Sequence, residues 1–121
     1  MVNRAISFKM EKFGLLQDDI NRIKGVFLRY SQIEEVLIYG SRAMGNFRPS
    51  SDIDLSLLGR KIDLSLQQQI EFDLDDLMLP YKFDLSIYDR INNPEFRDHI
   101  KRVGKEFYIK TKPQHEGPSV K

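Results

Sequence analysis

The chain contains no cysteine. A disulfide framework, a thiolate metal site and a cysteine nucleophile are therefore all excluded. The sequence also lacks an apolar run long enough for a membrane span or a signal peptide, so we expect a cytoplasmic protein that binds no membrane. Basic and acidic residues nearly cancel, at a net charge of +1. Because a general nucleic-acid binder relies on a basic surface, this balance argues against direct nucleic-acid binding.

The length of 121 residues is typical of one domain. A chain of this size buries roughly two-thirds of the surface that it exposes when unfolded. We expect the single domain to span residues 1–110. Residues 111–121 are rich in proline, glycine, glutamine and lysine, a composition typical of a flexible C-terminal tail.

The spacing of apolar residues predicts both helices and strands. Helical spacing occurs over residues 17–30, 66–77 and 96–107, and a shorter candidate helix lies within residues 1–14. Strand patterns occur over residues 36–39, 53–58 and 81–88. Gly104 leaves open whether the residues after it continue the last helix or are extended. A strand, a helix and a strand indicate a right-handed parallel crossover, so we expect an α/β (α+β) fold with a small mixed β-sheet and flanking helices.

The stretch from residue 36 to residue 58 carries the main candidate site. Its first strand ends at Gly40, and Ser41 follows at the expected N-terminus of a helix. Such an N-terminus offers free N–H groups and a positive dipole to an anion, and a glycine lets a phosphate approach the backbone closely. After a gap of ten residues come Asp52, Asp54 and Ser56, which share one face of the next strand.

The paired carboxylates indicate a metal site. Two acids on one strand face lie roughly 6–7 Å apart and repel each other. Mg²⁺ relieves this repulsion, because it takes oxygen ligands and keeps waters and substrate phosphates. The strand over residues 81–88 repeats the pattern, with Asp84 and Ser86 on one face. If the two strands are neighbours, Asp84 lies beside Asp52 and Asp54 and is a third candidate ligand.

Each of these residues also has a purely structural interpretation. Gly40 is then a turn glycine and Ser41 a helix N-cap, while Asp52 caps a turn or pairs with Arg48. The combination of a glycine-serine turn, two acids and a third acid favours a functional site. Arg42 and Arg48 are candidate contacts for a triphosphate, although arginines on exposed loops are usually solvated.

Other charged residues are less informative. Lys82 shares the face of Asp84 and is a candidate ion-pair partner for it. Asp73, Asp75 and Asp76 lie together on the predicted helix between the two strands. They form either a second acidic site or a solvated face, and we favour the solvated face.

The combined pattern resembles a known family signature. Gly40 and Ser41, followed after ten residues by Asp52 and Asp54, are similar to the motif of the DNA polymerase beta-type nucleotidyltransferase superfamily. The small size and the sequence GSRAMG resemble the minimal nucleotidyltransferases (MNT), which are often antitoxins paired with helical HEPN toxins. The resemblance covers roughly residues 14–110. It implies a nucleotidyltransferase fold with a third acidic residue on the strand over residues 81–88, the place that Asp84 occupies.

The resemblance also implies a mechanism, with ATP as substrate. Asp52 and Asp54 are expected to hold two Mg²⁺ ions, or Mn²⁺, about 3.5–4 Å apart. Asp84 completes the metal site nearest the attacking oxygen and accepts its proton. Ser41 and the N–H groups of the Gly40 turn bind the β- and γ-phosphates.

The acceptor is expected to come from another chain, because little of this sequence remains for an acceptor domain. By resemblance, that partner is a HEPN toxin, and AMP is transferred to one of its tyrosine hydroxyls. Two alternatives stay open. The first is transfer to a small molecule such as an aminoglycoside, which usually needs an added acceptor domain. The second is a non-catalytic antitoxin that acts by binding alone, although a pure binder has no reason to keep three carboxylates together.

Overall fold

The structure is a computed structural model that describes residues 11–111. Its largest element is a four-stranded sheet, which a short hairpin precedes and helices flank. The strands are β1 (Glu11–Lys12), β2 (Leu15–Leu16), β3 (Ile33–Tyr39), β4 (Ile53–Gly59), β5 (Phe83–Ile87) and β6 (Lys105–Ile109). The helices are α1 (Gln17–Leu28), α2 (Gly40–Met44), α3 (Leu64–Asp75) and α4 (Pro94–Val103), and a 3-10 turn, Tyr88–Arg90, follows β5.

The sheet is mixed, with the strand order β5-β4-β3-β6. β3 pairs antiparallel with β4 and β6, whereas β4 and β5 run parallel. α3 forms the crossover between the parallel strands, as the sequence predicts. The predicted fold class is therefore confirmed.

Side-chain alternation gives the sheet two different faces. α1 and α3 cover the first face, where their apolar stripes complete the main core. Buried members of this core include Ile23, Phe27, Val36, Ile38, Leu55, Leu57, Ile70, Leu74 and Leu85. α4 packs on the second face over a smaller cluster of Tyr39, Tyr88 and Ile100. The polar side chains of β4 and β5 belong to this second face, and its uncovered part leaves the Asp84 side chain exposed.

Local signals explain where the helices begin and end. Asp63 caps α3 and Asn93 caps α4, each through a side-chain oxygen that accepts a hydrogen bond from a first-turn N–H group. Pro94 occupies the first turn of α4, where its missing N–H group has no cost. Gly104 ends α4, so the residues after it form β6 rather than more helix.

Two predicted segments fall wholly or partly outside the described residues. The candidate helix within residues 1–14 lies there except for its last four residues, which belong to the hairpin of β1 and β2. The predicted tail lies there beyond Thr111, and the domain boundary at residue 110 stays a prediction. No helix in the described part of the chain has the length and apolar character needed to cross a membrane.

Asp73 departs from the predicted solvated face. Its carboxylate accepts a hydrogen bond from the Tyr30 hydroxyl and lies 3.5 Å from Nη1 of Arg29. The side chain is only 14% exposed. The prediction is therefore wrong for Asp73, which ties the end of α1 to α3, whereas Asp75 and Asp76 are exposed as expected.

The N-cap of α4 gives a test of the fold. Asn93→Ala should lower the free energy of unfolding by about 1 kcal/mol, because the first turn loses its side-chain acceptor. The matched control is Asn92→Ala, at an exposed neighbouring asparagine, which should stay within about 0.5 kcal/mol of the wild type. Urea denaturation measures both variants, and equal losses would contradict the capping role.

Candidate active site

The candidate site is built on the parallel register of β4 and β5. Asp54 pairs with Asp84 in this register, so the two side chains lie on the same face of strands about 4.8 Å apart. Asp52 stands one residue before β4, and its carboxylate lies close enough to Asp54 to raise the pKa of that group. The structure therefore brings the three predicted acids to one end of the second face. Asp52 and Asp84 are exposed, whereas Asp54 is half-buried.

The electrostatics of the site centre on Asp54. The pKa of this carboxyl is raised from 3.8 to about 6, first by burial and then by the charges of Asp84 and Asp52, because a nearby negative charge disfavours ionisation. The positive charge of Arg42 lowers the pKa of Asp54 and partly offsets these effects. Asp54 thus carries a negative charge at neutral pH at a cost to the folded state.

In the described part of the chain, no basic side chain relieves this cost by direct pairing with Asp54. Among residues 11–111, none of the three acids forms a salt bridge. Asp52 is therefore not paired with Arg48, and Lys82 is not paired with Asp84, although both were possible from the sequence. The carboxylates remain available to an external cation.

The donor set is suited to Mg²⁺. Carboxylate oxygens are ligands that this ion prefers, and it fills the remaining positions with waters and phosphate oxygens. Within residues 11–111, no group of three or more acidic or histidine side chains is placed to hold a metal ion without further ligands. Incomplete protein ligation is usual for Mg²⁺ sites that share the ion with a nucleotide. The structure thus fits a metal held jointly by protein and substrate.

Gly40 fits against the central acid. Its backbone has a φ of 75°, which L side chains rarely adopt. A Cβ atom at this position would also collide with the Asp54 carboxylate. Ser41 follows in the first turn of α2 and is half-buried. The glycine-serine turn is therefore in contact with the acidic cluster, although the sequence alone assigned the glycine to phosphate approach.

Hydroxyl groups lie beneath the acids on the same face. Ser86 Oγ donates a hydrogen bond to Ser56 Oγ at 3.0 Å, across the β4–β5 pair. Tyr39 pairs with Asp54 in the antiparallel register of β3 and β4. Burial raises the pKa of the Tyr39 hydroxyl, and the charges of Asp84 and Asp54 add to this effect. The sequence predicts Tyr39 only as part of an apolar strand. Its position directly before Gly40 is the one sequence feature that places it near the acids.

The comparison with known families shows which family the chain belongs to. The family described as polymerase beta, nucleotidyltransferase matches residues 21–113. The chain belongs to this family. Among curated proteins, no sequence matches this nucleotidyltransferase significantly.

Solved structures share the fold of this nucleotidyltransferase. A chain in the crystal structure of a toxin–antitoxin complex with AMP-PNP has a TM-score of 0.64 and 16% identity, over 80% of this chain and 78% of that one. A chain in the complex of tri-AMPylated Shewanella oneidensis HEPN toxin with MNT antitoxin has a TM-score of 0.59 and 16% identity, over 83% and 76%. A chain of the MntA–HepT complex has a TM-score of 0.59 at 16% identity, over 78% and 73%.

The two arginine candidates have different surroundings in the nucleotidyltransferase. Arg42 is buried, and its guanidinium donates to backbone carbonyls on both sides of it. This engagement argues against a direct contact with a triphosphate. Arg48 is exposed, and its side chain forms no salt bridge within the described part of the chain. Arg48 therefore stays a candidate nucleotide contact.

Asp54→Asn tests whether the charge of Asp54 destabilises the metal-free protein. The folded-state pKa of about 6 exceeds the unfolded value near 3.8, so the folded wild type binds more protons than the unfolded chain between these values. Its stability therefore falls as pH rises from 4 to 6 and then levels off. Asparagine does not titrate, so the variant should gain on the wild type across this window, by on the order of 1 kcal/mol above pH 6 after allowance for partial exposure. Thermal melts of the metal-free protein from pH 4 to pH 8 measure the difference.

The control for that series is Asp75→Asn, at an exposed acid on α3. It should track the wild type at every pH. A gain for Asp54→Asn that does not depend on pH would show that Asp54 is not destabilised by its ionisation.

Gly40→Ala and Gly45→Ala form a matched pair. Both glycines have positive φ values, 75° and 91°, so alanine should cost each backbone about 1–2 kcal/mol. Only Gly40 also packs against Asp54, whereas a Cβ at Gly45 meets open space. Gly40→Ala should therefore destabilise more and should weaken the increase in melting temperature on adding Mg²⁺. Equal behaviour of the two variants would argue against the close fit of Gly40 and Asp54.

Proposed function

We propose that this nucleotidyltransferase transfers AMP from ATP to a tyrosine hydroxyl of a partner HEPN toxin and so acts as its antitoxin. One observation carries the proposal. Asp54 stands beside Asp84 in the β4–β5 register with Asp52 next to them, and burial makes the central charge costly. A catalytic metal site explains why these acids lie together, although the folded state would be more stable without the central charge.

The structural comparisons support the choice of nucleotide and acceptor. One similar structure is a toxin–antitoxin complex with AMP-PNP, an analogue of ATP, and another contains a tri-AMPylated HEPN toxin with an MNT antitoxin. At 16% identity these likenesses concern the fold. ATP, the toxin and its tyrosine are therefore our proposals for this chain.

Asp52, Asp54 and Asp84 would hold the metal, which we propose to be Mg²⁺, with Mn²⁺ as a substitute. When bound, a pair of such ions supplies positive charge that stabilises both the attacking and the leaving oxygen. The rest of the mechanism concerns the side chains of the protein.

The reaction is a direct displacement at the α-phosphorus. The tyrosine oxygen forms a bond to phosphorus while the bond to pyrophosphate breaks. A tyrosine hydroxyl, with a pKa near 10, is a weak nucleophile at neutral pH, and we assign Asp84 as the group that accepts its proton. Ser41 and the backbone N–H groups at the start of α2 bind the β- and γ-phosphates until pyrophosphate leaves, with Arg48 as a further contact.

The modification explains how the partner would be neutralised. Addition of AMP places a bulky anion on the toxin. A toxin that acts on RNA must bind phosphates, so the added charge and volume should exclude RNA by repulsion and by occlusion.

The proposal predicts a mass increase of the partner. Incubation of the purified partner with this protein, ATP and Mg²⁺ should add whole AMP units to it, as measured by intact-mass spectrometry. Asp52→Ala and Asp84→Ala should add none, because each removes a metal ligand, whereas Asp75→Ala, at an exposed acid outside the site, should act like the wild type. Replacing the modified tyrosine by phenylalanine should also prevent addition.

The alternatives give different results in the same experiment. A partner that stays unmodified but is still neutralised in a tight complex would indicate an antitoxin that acts by binding alone. Transfer of AMP to an aminoglycoside, with no change in the partner, would indicate a small-molecule enzyme. Either result would contradict the proposal.

A further inference from the structure

Arg42 is buried at the junction of several segments. Its side chain is 2% exposed although it carries a permanent charge. The guanidinium donates five hydrogen bonds, all to backbone carbonyls, at distances from 2.9 to 3.3 Å. An arginine has five N–H donors in a fixed planar arrangement, so the protein uses all of them.

The five bonds join two segments that are distant in sequence. Phe13 and Gly14, in the turn of the β1–β2 hairpin, accept from Nη1. Pro49 and Ser51, in the loop before β4, accept from Nε and Nη2. The guanidinium therefore fixes the hairpin turn and the loop relative to each other.

Two aromatic rings pack against the same group. The Phe47 ring centroid lies 5.4 Å from Cζ of Arg42, and that of Tyr81 lies 5.3 Å from it. Phe47 belongs to the loop before β4, and Tyr81 lies two residues before β5. Arg42 thus also contacts the segment that leads to Asp84.

The loop that Arg42 holds ends at a proposed metal ligand. Asp52 directly follows Ser51, whose carbonyl accepts two of the five bonds. The loop also closes on itself, because the Arg48 N–H group donates to Ser51 Oγ at 2.8 Å and the Ser51 N–H group donates to the Arg48 carbonyl at 2.9 Å. Asp52 precedes the first residue of β4, so the sheet ladder does not fix it. Its position depends on this loop.

We propose that Arg42 is a positioning residue of the active site, which holds the loop over residues 49–51 so that Asp52 faces Asp54. This inference rests on the proposed function for the role of Asp52. Lysine would not replace arginine, because an ammonium has three donors around one point and cannot reach carbonyls on both sides of a planar group. The residue acts through Asp52 and needs no contact with the nucleotide.

The test compares Arg42→Lys with a control that is destabilised elsewhere. Val26→Ala removes buried volume from α1, in the main core and outside the site. Both proteins are studied below their melting transitions, where each is folded. Mn²⁺ titration followed by electron paramagnetic resonance should give Arg42→Lys about a tenfold weaker affinity than the wild type, the size typical of losing a residue that orients a metal ligand. Val26→Ala should keep the wild-type affinity.

A second measurement does not depend on metal. Hydrogen exchange followed by mass spectrometry should show faster exchange of peptides covering residues 46–52 in Arg42→Lys, and not in Val26→Ala. If Arg42→Lys does not fold, Phe47→Leu replaces it, since this variant removes one ring from the guanidinium and keeps the carbonyl acceptors. It should weaken Mn²⁺ binding by about two- to fivefold.

The outcomes separate this inference from the proposed function. Unchanged Mn²⁺ affinity and unchanged exchange in Arg42→Lys, with normal binding by the wild type, would overturn the positioning role alone. A wild type that binds no Mn²⁺, with or without ATP, would overturn the proposed function and this inference together.

Discussion

The parallel pairing of β4 with β5 imposes the constraint on which the rest of the site depends. It places the Asp54 carboxylate beside that of Asp84 in a half-buried position, where like charges repel and water screens them poorly. The opposite face of the same strands is apolar and fully packed beneath α1 and α3. Burial of the apolar face therefore stabilises the β4–β5 pairing, whereas the repulsion between Asp54 and Asp84 on the second face destabilises it. The main core and the candidate site thus lie on opposite faces of the same two strands.

The glycine of the motif follows from this arrangement. Asp54 occupies the space in which a side chain at residue 40 would lie, and the backbone there is left-handed. Gly40 is therefore required by the acid as well as by any phosphate that approaches the turn. Ser56 and Ser86 fill the next positions along the strands and bond to each other, so the polar face continues inward without an unpaired buried group.

Features with a short repeat could be predicted from the sequence, and features that join distant segments could not. The period of two placed Asp54 and Asp84 on one face, and the asparagine-proline pair gave the start of α4. The hairpin of β1 and β2 was missed because two-residue strands leave no periodic signal. Arg42 was predicted as a candidate contact for a triphosphate. Its buried position could not be predicted, because its partners are carbonyls, including those of Phe13 and Gly14, which carry no mark in the sequence. The prediction of a solvated face was wrong for Asp73 for a related reason, since its partner Tyr30 lies just after α1 and is distant in sequence.

The backbone bonds of Arg42 also explain how its charge can act on Asp54 without forming an ion pair with it. An arginine with free donors beside a carboxylate can form a bidentate pair with it and would then compete with a metal for the same oxygens. Here every N–H donor is already taken by a carbonyl. The positive charge still acts on Asp54 through space and lowers its pKa. It partly offsets the cost of the Asp54 charge and leaves the carboxylate oxygens open to a metal.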